Sequence, residues 1–242
     1  PFRSFVAKSF PQLRALGVYM EIEELRKLYK SAYTDLSKLR FDKSHAWHRG
    51  LVIFYLSIIE YTDTFIALHL LEKPVAMPIV CRTLLEAYID FKNLHDDPKY
   101  GYRLEAAQLK DKLSLLQGSK DTENVYLNGV AEFRDQEEKW QSELDGFITK
   151  GHKPLNQYEK FALAGKLHEY KAIYSDLCSH SHNNLSSLSQ RYVDSKDNDG
   201  NFSLVVFDNY EANEKEHLIQ LVYICLMDSS ARVHRTLSQQ NA

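Results

Sequence analysis

The chain has 242 residues, 44% of them apolar, which is enough to bury a core of its own as one domain. A formal charge of -3 argues against a protein that coats nucleic acid by bulk electrostatics and leaves room only for a local, site-specific nucleic-acid role. Three cysteines, Cys81, Cys178 and Cys225, stand far apart with no C-x-x-C pair. That spacing indicates neither a disulfide framework nor a zinc ribbon, and it fits a reducing, cytoplasmic compartment.

The N-terminus lacks the regions of a signal peptide, and a start at Pro1 rather than Met is the expected mark of a trimmed chain. Apolar residues recur three and four apart in nearly every long segment, the signature of helices. A first helix is expected from about Pro11 to Leu39, where Leu13, Leu16, Tyr19, Ile22, Leu25, Leu28 and Tyr29 share one face. A second runs from about Ala46 to Glu72 and contains LVIFYLSIIEYTDTFIALHLL, long enough to imitate a membrane span. Glu60, Asp63 and His69 within it make a buried core helix the expectation, with no membrane partner.

Pro74 and Pro78 mark the entrance to a third helix, IVCRTLLEAYIDFKNL, which stops near Asp96, Asp97 and Pro98. A fourth helix spans about Tyr100 to Leu116. A fifth, highly charged, spans about Thr122 to Phe147 and is closed by Gly151. Two more run from about Gln157 to Leu167 and from about Tyr170 to Ser179. The stretch LSQRYVDSKDNDGNFSLVVFD carries short β-type runs around a turn-rich centre and reads as a β-hairpin at about 189–208. A last helix from about Asn213 to Leu237 runs from acidic to basic, the order that the helix dipole favours. The expected architecture is an all-α, multi-helix bundle with one short inserted β-hairpin. It forms a single domain over 1–242, with 1–45 as an N-terminal helical extension and 46–242 as the core bundle.

Two places hold unusual polar groups. On the third helix Arg82 and Glu86 are four apart and share a face, and Asp90 and Asn93 fall in the same wedge. Arg82 and Glu86 form either a structural ion pair, with Glu60 as a further partner, or part of a site. The second place is YSDLCSHSHNNLSSL, where helical spacing pairs Asp176 with His180 and Cys178 with His182, and Asn183 and Asn184 signal a helix end. A histidine there gains from the dipole and suits acid chemistry or a phosphate; the alternative is that both histidines simply cap helix carbonyls, the favoured reading of His180. On a helix the two rings of H-x-H point about 200 degrees apart and do not share an ion, so no metal is expected. No P-loop, G-x-G-x-x-G or G-x-S-x-G occurs, and no cofactor is expected.

The order RTLLE on a helix after a proline, then Y-x-x-L-C-x-x-x-H, then a hairpin and a terminal helix, resembles a bacterial all-helical family of unknown function over roughly 45–237. The resemblance implies that Arg82, Glu86, Tyr174 and His182 are the matching positions, with Cys178 where serine is more usual. More distantly the architecture is similar to HEPN domains, helical bundles that often dimerise and in many cases cleave RNA without metal. Their local Arg-to-His motif fits only Arg40 and His45 in RFDKSH, at a helix junction, so an HEPN-like centre would be assembled from Arg82 and His182 on different helices. The resemblance implies a metal-independent ribonuclease or nucleotide-processing protein of a bacterial defence or toxin system, acting as a homodimer on RNA or a nucleotide. In it His182, Arg82 and Glu86 are catalytic and Tyr174, Asn183, His180 and Cys178 bind. The alternative is a non-enzymatic helical module that senses a ligand or docks a protein partner.

Overall fold

In the computed structural model, which describes residues 21–121, 123–182, 184–194, 203–204 and 212–238, the core is built around one helical hairpin. Its arms are α2 (Ala46–Leu70) and α3 (Met77–Asp96), preceded by α1 (Ile22–Asp35). The indole N–H of Trp47 donates to the Leu94 carbonyl at 2.8 Å, fixing the start of α2 beside the end of α3. Leu51, Tyr55, Ile58, Ile59, Thr62, Phe65 and Ile66 of α2 are buried at helical spacing, while Glu60 and Asp63 face out. By length and composition α2 is the one helix among the described residues that could cross a membrane; here its apolar stripe packs into the protein core.

The turn between the arms is set by sequence. Glu72 takes a left-handed conformation, with φ 53°, and Lys73 N–H returns to the Leu68 carbonyl at 2.9 Å, closing α2. Pro74 opens a 3-10 turn and Pro78 lies in the first turn of α3, where a missing N–H leaves no gap in the ladder.

The next helices are α4 (Tyr100–Gly118) and α5 (Glu137–Thr149). The single charged helix expected from Thr122 is corrected to a 3-10 stretch, Val125–Gln136, followed by α5. Asn128 and Gly129 are poor helix formers, and the segment is tied back to α4 by Arg134 Nη2 donating to the Ser119 carbonyl at 2.7 Å. Gly151, with φ 83°, closes α5. α6 (Gln157–Leu163) begins with a capping box of Asn156 and Glu159 and stops at Gly165, φ 69°, short of the expected Leu167.

The chain then passes through a short α7 (Leu167–Glu169) and a π turn, Tyr170–Tyr174, into α8 (Ser175–Ser181) and α9 (Leu185–Tyr192). The hairpin expected at about 189–208 is corrected. Leu185, Leu188 and Tyr192 continue a helical spacing, so helix occupies its first part. The sheet among the described residues is a two-residue antiparallel pairing, β1 (Val193–Asp194) with β2 (Ser203–Leu204). Residues 195–202 and 205–208 of the expected hairpin, and 1–20 with most of the first helix's N-terminal half, lie outside the described residues. The last helix, α10 (Ala212–Ser238), lies on the hairpin of α2 and α3 and contributes Val222, Cys225, Leu226 and Val233 to the core.

Candidate functional site at the junction of α3 and α8

Helix α3 presents its polar wedge at successive turns, and the chain after Gly151 folds back along it. At the N-terminal end of the wedge, Arg82 Nη1 donates to Ser181 Oγ at 2.9 Å, across 99 positions. Ser181 in turn donates to the Cys178 carbonyl at 3.0 Å, which leaves its oxygen lone pairs for Arg82. Arg82 Nε lies 3.1 Å from Glu86 Oε1 but is poorly aligned with it, so this contact is a charge pair and not a hydrogen bond. The Tyr174 hydroxyl donates to the same Glu86 oxygen at 2.7 Å, and the guanidinium stands 5.7 Å over the Tyr174 ring. Arg82 and Glu86 side chains are each 25% exposed. Burial pushes the Tyr174 phenol well above its usual range, and the Glu86 carboxylate adds to the rise.

The π turn matters to this arrangement. Ser175 N–H bonds to the Tyr170 carbonyl five residues back, widening the helix by one residue just before α8. The rings of Tyr170 and Tyr174 stack with centroids 5.3 Å apart and 21° between planes.

Helix α8 ends at Ser181, and His182 is its C-cap, with its N–H on the Cys178 carbonyl at 3.0 Å and its side chain exposed. His180 Nε2 is 3.8 Å from Asp176 Oδ2. Burial raises the Asp176 carboxyl while the facing His180 pulls it down. Cys178 is half-buried against the core. Asn183 lies outside the described residues. The chain thus brings Arg82, Glu86 and Tyr174 together and sets His182 next in sequence to the serine that Arg82 engages. Ser181 was not singled out from the sequence; nothing distinguishes it there from Ser179.

Two further polar clusters occupy the rest of α3. Asp90 accepts from the Tyr100 hydroxyl at 2.5 Å and from Lys160 Nζ at 2.9 Å, and Asn93 donates to the Lys160 carbonyl at 3.0 Å. These contacts tie α4 and α6 to α3, so this half of the wedge is occupied within the chain. Near the end of α3, Arg232 of α10 bonds Asp96 at 2.9 Å and Asp228 at 2.7 Å, and Asp228 also takes the Tyr88 hydroxyl at 2.9 Å. Glu60, weighed above as a third member of the Arg82 pair, is exposed on α2. Arg40 bonds the Ser37 and Leu39 carbonyls and His45 stands at the N-cap position of α2 without a side-chain capping bond, so the RFDKSH pair lies at a helix junction.

Two surface clefts, of about 500 Å³ between α4 and α5 and about 240 Å³ between α1 and α2, contain none of Arg82, Glu86, Tyr174 or His182 in their walls. At the junction Arg82 and Glu86 are partly exposed and His182 is exposed.

The chain belongs to a family of unknown function, DUF5677, whose model matches residues 48–201 and so spans Arg82, Glu86, Tyr174 and His182. No curated protein and no solved structure matches it.

Proposed function

We propose that this DUF5677 chain processes RNA or a nucleotide by metal-independent phosphodiester chemistry at the junction of α3 and α8. The observation that supports the reading most is the 2.9 Å contact of Arg82 Nη1 with Ser181 Oγ, which brings a guanidinium to the residue that precedes exposed His182. A phosphate oxygen takes the place of Ser181 Oγ as the acceptor of Nη1, and Arg82 then stabilises the charge that builds on phosphorus. His182 removes the proton of a ribose 2′-hydroxyl, and that oxygen attacks phosphorus. The bond to the 5′ oxygen breaks, and the imidazolium returns the proton to it. The products are a 2′,3′-cyclic phosphate and a 5′-hydroxyl, with no water or metal consumed. Glu86 orients Arg82 and Tyr174 holds Glu86; both are positioning residues.

The test is cleavage of single-stranded RNA by the full chain. His182→Ala is expected to abolish cleavage with an unchanged Tm, because the side chain is exposed. Undiminished cleavage by that variant, or none by the parent, overturns the reading.

A second reading is favoured by one observation: Arg82, Glu86 and Tyr174 are engaged with one another, and neither cleft opens on them. On that reading the cluster is a structural pin of a non-enzymatic module that binds a ligand or partner. A parent chain without cleavage whose Arg82→Ala variant melts several degrees lower supports it.

A further inference from the structure

Four aromatic rings run outward from the same junction. The Arg82 guanidinium stands 5.7 Å over Tyr174, and Tyr174 stacks on Tyr170 with 5.3 Å between centroids. Tyr170 meets Tyr158 of α6 edge-to-face at 5.4 Å and 84°. Phe161, fully buried, backs the two inner rings at 5.3 and 5.0 Å. Exposure rises along the series, from 5% at Tyr174 through half-buried Tyr170 to 46% at Tyr158. A core cluster closes on itself; this one ends at a ring open to solvent.

We infer that Tyr158 and Tyr170 form a stacking platform for the bases of single-stranded RNA, in one aromatic series with the Arg82 site. The inference rests on the phosphodiester reading above and supplies its substrate class. Three features favour an extended polynucleotide over a small apolar ligand. The platform's outer ring, Tyr158, is 46% exposed and within reach of a strand. It is continuous with a guanidinium, and single-strand sites combine aromatic faces with cations. Lys171, beside Tyr170, is exposed, and Lys153 is 61% exposed in a surface pair with Glu159 that a phosphate can displace. Because every base has a π face, the platform reads single-strandedness and not sequence.

The experiment is fluorescence anisotropy on the full chain carrying His182→Ala, which holds substrate without turning it over. The probes are a fluorescein-labelled oligoadenylate and an abasic ribose-phosphate strand of the same length. Adding Tyr158→Ala is expected to weaken oligoadenylate binding about tenfold while leaving the abasic strand unaffected, and Tyr158→Phe is expected to bind like the parent. Tyr158→Leu, which keeps bulk without a π face, should behave like Tyr158→Ala and guards against a folding artefact. Oligoadenylate binding unchanged by Tyr158→Ala, or equal losses on both strands, overturns the platform and leaves the phosphate site standing. A His182→Ala chain that binds neither strand overturns both.

Discussion

Tyr174 and Glu86, 88 positions apart, are joined by a 2.7 Å hydrogen bond to the same carboxylate oxygen that faces Arg82. One oxygen therefore serves a phenol from the π turn and a cation from its own helix. The orientation of Arg82 depends on a residue that touches no substrate in the proposed chemistry, since Tyr174 is 5% exposed.

Replacing Tyr174 with Phe removes only the hydroxyl. A hydrogen bond to a charged group contributes about 2 kcal/mol, so Tyr174→Phe is expected to lower the unfolding free energy by about that amount. Urea titration followed by circular dichroism measures it. A midpoint equal to the parent's contradicts the shared-oxygen account.

The two halves of the polar wedge on α3 should respond differently to truncation. Asp90 and Lys160 side chains are only 14% and 16% exposed, whereas Arg82 and Glu86 are each 25% exposed. Asp90→Ala leaves Lys160 and the Tyr100 hydroxyl without their acceptor and is expected to cost about 3 kcal/mol. Arg82→Ala, nearer solvent, should cost clearly less. Reversal of that order in denaturant titrations contradicts the division into a structural half and a site half.

Stability should fall at high pH. Burial raises the phenols of Tyr88, Tyr100 and Tyr174 above the usual 10.0, with Asp228, Asp90 and Glu86 adding to the effect. Above pH 10 the unfolded chain has lost these protons while the folded chain retains them, so stability declines as pH rises through that range. The contribution is fully present below pH 10. Phenolate absorbance should show these tyrosines ionising last, together with unfolding; early, independent ionisation of all fifteen tyrosines contradicts the burial.

Glu72 holds a left-handed backbone at the close of α2 where glycine is the usual residue. Glu72→Gly is expected to stabilise the protein by about 0.5–1 kcal/mol, the left-handed strain relieved less the extra chain entropy of glycine. Thermal unfolding should show a higher Tm; a lower one means that Glu72 makes contacts worth more than its strain.

Helix content and the path of the chain through α4 were legible in the sequence because spacing of apolar residues and punctuation by Pro74, Pro78 and Pro98 are local signals. The wedge Arg82, Glu86, Asp90 and Asn93 was legible for the same reason, since residues three and four apart must share a face. What such reasoning could not supply is which partner each member finds. Asp90 meets Lys160 and Arg82 meets Ser181 only after α4, α5 and α6 have folded back on α3, and no spacing within α3 encodes that. The π turn was missed because YKAIY carries no composition that separates a widened turn from a regular one. The 3-10 segment lies in a charged run with few apolar anchors, where apolar spacing does not separate a tight turn from a regular helix.

The pair α4 and α5 has a small apolar cluster of its own, Ala106, Leu109 and Leu144 with Leu113, Trp140 and Phe147 around it, separate from the main core. Cooperative units of a protein open according to the apolar contacts that hold them. Beyond its anchor at Tyr100 the arm is therefore expected to open at a lower free energy, and its amides should exchange with deuterium while those of α2 and α3 stay protected. Breathing of this arm would leave the junction of α3 and α8 intact, because neither Arg82 nor Tyr174 leans on it.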